Sequence, residues 1–319
     1  MIADLHAHLL PAGLVARLRA RAAPPCIRDG RVIFPGESLA LHAGYTDPAL
    51  RLERLDRLGV GVQLLSLPPL FGIDSLPAEE ALPLTQAFNE GIAEICARWP
   101  GRFAWLAALP IADPDAALRS LGDSLAAGAL GAILPAGCLV ARARADALLP
   151  LLARLDAARA IAFIHPGPCP GVAPPPPPPD LPWARRQVAI QTQIAQAAIT
   201  LLYTDLLDRF ADLTVQLANL AGCLPMVEER IDRVVAGRAI AARRRQPRLI
   251  ADCASLGPRA IALAAAMLGP RAVVLGSDEP IFRLEDSLRA VAAAELADAD
   301  AVLGGTARDV LARAGFAGV

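Results

Sequence analysis

The segment Ile2-Ala3-Asp4-Leu5-His6-Ala7-His8 places two histidines two positions apart at the end of a short apolar run. Residues two apart in an extended strand lie on the same side of it. Both imidazoles of this predicted first strand therefore face one way, which is inward if the strand belongs to a barrel. The rest of the chain shows whether more strands of this kind follow.

Eight short apolar runs have strand character, and most precede a longer stretch rich in Ala, Leu and Arg with helical period. They span residues 2–6, 60–67, 103–109, 131–134, 161–165, 213–219, 248–253 and 272–278. Nearly continuous apolar strands that alternate with helices are typical of a parallel sheet covered on its outer face. The pattern predicts an α/β fold, a (β/α)8 TIM barrel forming a single domain over residues 1–319, with an open doubly wound sheet as the alternative.

Two connections depart from the short loops of a simple barrel. Residues 12–46 form a long insertion after the first strand, in which residues 26–34 around Asp29-Gly30 predict a β-hairpin over the barrel mouth. Residues 166–183 form a proline-rich loop with six consecutive prolines at 174–179. A proline run favours extended polyproline II, so this segment is either a stiff strap at the margin of the site or an inert surface loop.

Composition excludes several classes of protein. All 31 basic residues are Arg, so a Walker A lysine, a Schiff-base lysine and a carbamylated bridging lysine are ruled out. A net charge of -1 gives no footprint for nucleic acid, and we interpret the arginines at 243–245 as a solvated helix end. No apolar run is long enough to predict a membrane span. The first residues lack the pattern of a secretory signal, and the six cysteines lack CxxC spacing, so a cytoplasmic protein with reduced thiols is expected.

Polar side chains end three of the predicted strands. His6 and His8 end the first strand, His165 ends the fifth and Asp278 ends the eighth. The strand ends of a barrel converge on one face, so these groups should meet there. Three imidazoles and one carboxylate suit zinc or a similar divalent ion with an open coordination position.

These segments carry a family resemblance. Asp4-Leu5-His6-Ala7-His8-Leu9-Leu10-Pro11, His165-Pro166 and Gly276-Ser277-Asp278-Glu279-Pro280 resemble the amidohydrolase superfamily, in its aminocarboxymuconate-semialdehyde decarboxylase-like branch, over nearly the whole chain. The resemblance implies a mononuclear site in which His6, His8, His165 and Asp278 hold Zn²⁺, or alternatively Mn²⁺, and in which Asp278 also relays a proton. Members of the family are often dimers, which implies a homodimer here.

One position departs from the family pattern. Asn219 follows the sixth strand, where the family usually has a histidine that acts on water or substrate. An amide does not take up a proton at neutral pH, but it can orient a ligand or donate to an oxyanion, so Asn219 and Asp278 are the predicted catalytic residues. His42, the only other histidine, together with Arg185 and Arg186, is predicted to bind substrate at the mouth.

Three functions fit these features. A metal-dependent, non-oxidative decarboxylase of a small cyclic or unsaturated carboxylic acid survives the loss of the strand-six histidine best, because Asp278 can manage the proton. A hydrolase of a cyclic amide or lactone needs a base that Asn219 does not supply. A catalytically reduced barrel, which binds a metal or ligand as the partner of an active subunit, is the third.

Overall fold

The computed structural model describes residues 1–172, 178, 180–235 and 248–318. Most of the proline run and all of the arginine run at 243–245 lie outside the described residues. The strands are β1 (Ile2–His8), β2 (Cys26–Arg28), β3 (Arg31–Phe34), β4 (Glu37–Ala40), β5 (Val60–Ser66), β6 (Phe103–Trp105), β7 (Gly131–Pro135), β8 (Ile161–His165), β9 (Thr214–Leu217), β10 (Arg248–Asp252) and β11 (Val273–Val274).

The α-helices of the described residues lie between and around these strands. They are α1 (Ala12–Ala20), α2 (Ala43–Thr46), α3 (Pro48–Leu58), α4 (Ala78–Arg98), α5 (Pro114–Ala126), α6 (Arg142–Ala145), α7 (Leu149–Ala157), α8 (Pro182–Tyr203), α9 (Leu224–Val234), α10 (Pro258–Leu268), α11 (Leu284–Ala292) and α12 (Thr306–Arg313). Within the described residues, none of these helices combines the length and apolar character that crossing a bilayer requires.

Eight parallel strands close into a barrel in chain order. Hydrogen bonds join β1-β5-β6 into one group and β7-β8-β9-β10-β11 into another. A parallel bridge between Ala107 and Ala132 connects β6 to β7, and a second between Ala7 and Glu279 connects the end of β11 to β1. The predicted TIM barrel is confirmed, and the open-sheet alternative is wrong because the first and last strands pair with each other.

Two predicted strands are longer than the observed ones. Of predicted residues 103–109 only Phe103–Trp105 form a regular strand, and of 272–278 only Val273–Val274 do. The apolar runs continue because the chain stays buried beyond the ladder. Past β11 the backbone still bonds to β1, with Leu5 N donating to Leu275 O at 2.9 Å.

Local sequence sets the ends of the helices. The Asp47 carboxylate caps α3 by accepting from the backbone N–H groups of Ala49 and Leu50 at 2.9 and 3.0 Å. Gly59 ends the same helix in the left-handed conformation, with φ 68°, a conformation that costs glycine little. The chain then enters β5 at once, so α3 is fixed relative to the barrel.

The connection after β1 carries its own small sheet. Cys26–Arg28 pairs antiparallel with Arg31–Phe34, and this strand pairs with Glu37–Ala40. The third strand extends the two-stranded hairpin that the sequence predicts. The short helix α2 follows this sheet and returns the chain to the barrel, where Leu10 N donates to Tyr45 O at 2.7 Å.

Candidate metal centre

Four side chains from three barrel strands converge at the carboxyl end of the barrel. His6 and His8 come from β1, His165 ends β8, and Asp278 follows β11. One ligand atom from each lies within 4.8 Å of the ligand atoms of the other three, and all four residues are buried. We call these four residues the ligand cluster. The alternation of β1 explains its geometry, because His6 and His8 both face inward.

Three atoms of the ligand cluster are buried without a hydrogen-bond partner among the described residues. They are His6 Nε2, His8 Nε2 and Asp278 Oδ1. The two nitrogens lie 3.5 and 3.2 Å from that oxygen. A buried polar atom without a hydrogen-bond partner is costly, so three such atoms at one point fit a site that binds one shared ligand. Nitrogen and carboxylate donors of this kind fit a divalent metal ion.

The other nitrogen of each imidazole is held by an oxygen. His6 Nδ1 lies 2.9 Å from Asp252 Oδ1, His8 Nδ1 lies 3.2 Å from Ser66 O, and His165 Nδ1 lies 2.9 Å from Pro166 O. Each Nδ1–H donates to its oxygen, so the Nε2 atom of each ring is the one left to face the centre of the cluster. Metal-binding histidines are oriented in this way.

A glycine permits the contact between His6 and Asp252. A Cβ atom at Gly276 would lie 2.8 Å from both the His6 Cβ and the Asp252 Cβ. These distances are shorter than van der Waals contact between carbon atoms, so any side chain at 276 would push the two apart. Gly276 therefore keeps the His6 ring against its carboxylate.

The charges around the cluster favour a cation. Burial by itself lowers the pKa of His6, but the carboxylates of Asp252 and Asp278 outweigh burial and raise it to about 9. Burial lowers the pKa of His8, and burial together with the neighbouring imidazoles holds the pKa of His165 well below its usual value. Two imidazoles thus stay neutral, as metal ligands must be, in a field that stabilises positive charge.

Asp4 joins β1 to the segment that follows β11 through hydrogen bonds. Its carboxylate accepts from Ser277 N at 3.0 Å, Ser277 Oγ at 2.6 Å, His6 N at 3.1 Å and Gln63 Nε2 at 2.7 Å. Burial raises the pKa of Asp4 to about 6, although these hydrogen bonds act in the opposite direction. The bonds join the backbone of His6 to the residue before Asp278, so Asp4 positions two members of the ligand cluster.

Asn219 is buried but does not join the ligand cluster. Its Nδ2 donates to Ala254 O at 3.0 Å and to Ser255 Oγ at 3.2 Å, and its backbone N–H donates to Asp252 Oδ1 at 3.3 Å. Asn219, Leu220 and Ala221 all have positive φ, between 52° and 63°. We call Asn219–Ala221 the β9 turn. The amide nitrogen of Asn219 serves this turn, so its predicted catalytic role stays a prediction.

The three predicted substrate-binding residues already have partners in the protein. His42 is exposed and caps α2, because its Nδ1 accepts from Gly44 N at 3.2 Å. Arg185 is exposed and pairs with Asp180, and half-buried Arg186 pairs with Glu37 of β4. Nothing in these contacts turns the three side chains toward the ligand cluster.

Asp252, Gln63 and Arg51 contact the residues of the site, although they were not among the residues predicted from the sequence. Asp252 ends β10, so the rule that found Asp278 also points to it. Gln63 and Arg51 gave no such signal. Arg51 is 2% exposed and bonds Gln63 Oε1 at 2.8 Å, His8 O at 3.2 Å and Gly44 O at 2.6 Å, and only the fold brings these groups together.

Comparison with known proteins places these residues in context. The family model described as Amidohydrolase matches residues 3–313. The 2-amino-3-carboxymuconate-6-semialdehyde decarboxylase of Dictyostelium discoideum is 25% identical over 242 residues, which cover 72% of this chain and 65% of that protein. The gamma-resorcylate decarboxylase of Rhizobium radiobacter is 33% identical over 112 residues, which cover 34% of each chain. The matches thus span less than two thirds of these relatives.

A solved structure shares the fold over nearly its whole length. It is a dihydroxybenzoic acid decarboxylase from a Polaromonas species with bound manganese and the inhibitor 2-nitroresorcinol. Its TM-score is 0.75 at 19% identity, and the match covers 98% of this chain and 96% of that one. Identity this low supports the barrel architecture alone.

Proposed function

This chain belongs to the amidohydrolase family, and from that premise we propose that it is a divalent-metal-dependent, non-oxidative decarboxylase of a small cyclic or unsaturated carboxylic acid. The observation that carries the proposal is the ligand cluster. Three of its buried atoms that could bind a metal lack hydrogen-bond partners among the described residues. The decarboxylases among the relatives act on acids of this class by name.

His6, His8, His165 and Asp278 would hold the metal. Three imidazoles and one carboxylate favour zinc, and manganese, which the Polaromonas enzyme contains, is the alternative. Bound there, a divalent ion supplies a Lewis acid that draws in and polarises the substrate oxygens. Asp252, through His6, and Ser66, through His8, fix the orientation of the rings.

The number of histidines outside the ligand cluster favours a lyase over a hydrolase. The chain has four, and three belong to the ligand cluster. The fourth, His42, is exposed and caps a helix. Hydrolysis by an activated water needs a base and then an acid for the leaving group, and no histidine remains for that work. Decarboxylation needs one proton delivered to carbon.

Asp278 is the residue that we assign to that proton. Its carboxyl group protonates the carbon that bears the substrate carboxylate. The bond between that carbon and the carboxylate then breaks, carbon dioxide leaves, and the electron pair of the bond restores the conjugation of the product. Asp278 recovers its proton from solvent. The net change replaces a carboxylate by hydrogen and consumes one proton.

The test is product analysis with the metal-loaded protein in deuterated water. The acids are 2,6-dihydroxybenzoate, 5-carboxyvanillate and 2-amino-3-carboxymuconate-6-semialdehyde, and Asp278→Asn is the control variant. We expect carbon dioxide release and one deuterium at the carbon that carried the carboxylate, with both lost in the variant. Heavy oxygen from water in the product of a cyclic amide or lactone would favour the hydrolase instead. Full metal loading without turnover of any acid would favour a non-catalytic barrel.

A further inference from the structure

The insertion after β1 holds a buried tyrosine close to the chain segments that carry the ligand cluster. Tyr45 lies in α2 and is only 2% exposed, whereas its neighbours in the helix are exposed or half-buried. Its carbonyl accepts from Leu10 N at 2.7 Å, two residues beyond His8. This bond fixes the position of the tyrosine backbone relative to strand one.

Gly44, the residue before Tyr45, is packed against Pro280 in the segment that follows β11. A Cβ atom at Gly44 would lie 3.2 Å from the Pro280 Cβ, two residues beyond Asp278. The Arg51 Nη2 donates to both Gly44 O and His8 O, at 2.6 and 3.2 Å. Contacts with the segments that follow β1 and β11 therefore hold the Tyr45 backbone on both sides.

The hydroxyl group of Tyr45 has no hydrogen-bond partner in the part of the chain that the structure describes. The contact recorded for the side chain is with the His42 ring, whose centroid lies 5.0 Å from that of Tyr45. Burial, and then the negative charge of Asp278, raise the pKa of the Tyr45 hydroxyl, so it keeps its proton and remains a donor. This hydroxyl oxygen is not one of the fully enclosed polar atoms that lack a partner, so it borders accessible space and is open for a ligand.

The neighbouring arginine does not compete for that ligand. The Arg51 guanidinium donates to Gln63, to two backbone carbonyls and lies 3.6 Å from Glu279 Oε2. Its charge is balanced by Glu279, and three of its five N–H hydrogens are donated to these oxygens. Arg51 is held by these contacts, which leaves the Tyr45 hydroxyl as the donor that no described protein group uses.

We propose that Tyr45 is a substrate-binding residue of this site, whose hydroxyl donates a hydrogen bond to an oxygen of the carboxylic acid held beside Asp278. This inference rests on the proposed function. It assigns to the insertion, and to Tyr45 rather than His42, the recognition of the acid. The ring of His42 supports Tyr45 from the solvent side.

The chain provides its own control, because it contains only two tyrosines. Tyr203 donates to Asp232 Oδ1 at 2.8 Å, at the far end of α8, outside the ligand cluster. Tyr45→Phe and Tyr203→Phe each remove one hydroxyl group and nothing else. The experiment is calorimetric titration of each zinc-loaded protein with 2,6-dihydroxybenzoate, alongside metal analysis and steady-state kinetics.

We expect Tyr45→Phe to weaken binding of 2,6-dihydroxybenzoate about tenfold, the loss of one hydrogen bond to an anion. KM should rise by the same factor, whereas kcat should change less than about threefold, because the bond is present before and during reaction. Tyr203→Phe should match the wild type. Metal content should be equal in all three proteins.

Three results would overturn the role of Tyr45. They are unchanged affinity in Tyr45→Phe, loss of metal from that variant, which would indicate a structural role, and absence of binding by the wild type. If the wild type turns the acid over and Tyr45→Phe binds it equally well, the lyase stands and Tyr45 does not. If Tyr45→Phe binds the acid more weakly but the wild type releases no carbon dioxide, Tyr45 stands and the lyase does not.

Discussion

The ligand cluster and the β9 turn lie at neighbouring strand ends of one barrel, but their polar atoms are used differently. In the cluster, three buried atoms that could bind a metal lack hydrogen-bond partners among the described residues. In the turn, the amide nitrogen of Asn219 has two acceptors, Ala254 O and Ser255 Oγ. Buried polar groups with satisfied hydrogen bonds stabilise a fold, whereas unsatisfied ones indicate a ligand.

Asp252 connects the two regions. Its Oδ1 accepts from His6 Nδ1 of the cluster and from Asn219 N of the β9 turn, and its Oδ2 accepts from Gln216 Nε2 at 3.1 Å. The β9 turn therefore acts on the metal centre through Asp252. The contribution of Asn219 to this contact is its backbone N–H, which donates to Asp252 Oδ1 at 3.3 Å.

The strongest test of the contrast is removal of a ligand. We expect wild-type protein to bind about one equivalent of metal per chain and His8→Ala or Asp278→Ala to bind close to none, because a mononuclear site needs all of its few ligands. Elemental analysis after reconstitution and desalting measures this. Circular dichroism checks that the variants fold. Full occupancy in Asp278→Ala would place the metal, and the functional region, elsewhere.

Loss of the link between the regions should have a smaller effect. Asp252→Asn keeps the shape of the side chain but removes the charge that supports the His6 imidazole. Such outer partners are worth about 10–100-fold in metal affinity, and we expect a weakening of that size. Competition with a colorimetric zinc chelator measures it. Wild-type affinity in this variant would show that His6 needs no carboxylate for orientation.

A change in the β9 turn should affect folding more than metal binding. Asn219→Ala removes two hydrogen bonds and should lower the free energy of unfolding by about 1–3 kcal/mol, with metal affinity within about threefold of wild type. Asn219→Gly lacks the same amide but adopts the positive φ of 52° freely, so it should be about 1 kcal/mol more stable than Asn219→Ala. Urea denaturation measures both. A metal affinity as low as that of Asp252→Asn would erase the distinction between the regions.

A buried carboxyl group outside both regions should affect only the pH dependence of stability. Asp74 is buried and has no ion pair in the described part of the chain, and burial raises its pKa to about 8. The unfolded group loses its proton near pH 4, whereas the folded group keeps it until about pH 8. Stability is therefore lost as pH rises through this window, by up to about 1.4 kcal/mol per pH unit.

The variant Asp74→Asn mimics the protonated carboxyl group and has no such loss. Its unfolding free energy relative to wild type should rise by about 2 kcal/mol or more between pH 5 and pH 8, with unchanged metal content. Urea denaturation at both pH values measures this. A difference that does not depend on pH would mean that folded Asp74 is already ionised at pH 5.

Much of the architecture followed from local patterns. Each of the eight apolar runs corresponds to a barrel strand, because the hydrophobic pattern of a buried strand depends on residues that are neighbours in the sequence. Strand ends were less accurate, since residues after Trp105 and Val274 stay buried without regular pairing. An apolar run reports burial, and burial continues where the hydrogen-bonded ladder stops.

The candidate site divides in the same way. His6, His8, His165 and Asp278 were predicted together because strand ends of a parallel barrel converge whatever the details of packing. Arg51 and Gln63, which join strand one to the insertion, and Tyr45, which the insertion delivers, gave no such signal. Their places depend on how a long connection folds back, and loop closure leaves no periodic trace in sequence.

The sequence alone predicted the barrel and the four residues of the ligand cluster, because both predictions follow from periodicity and from the polarity at strand ends. The tertiary structure decided which polar groups remain open. It showed that the Asn219 amide nitrogen donates to Ala254 O, just after β10. It also showed that His42 is exposed to solvent while Tyr45 is buried. Hydrogen-bond satisfaction depends on contacts between segments far apart in the chain, so no local pattern reveals it.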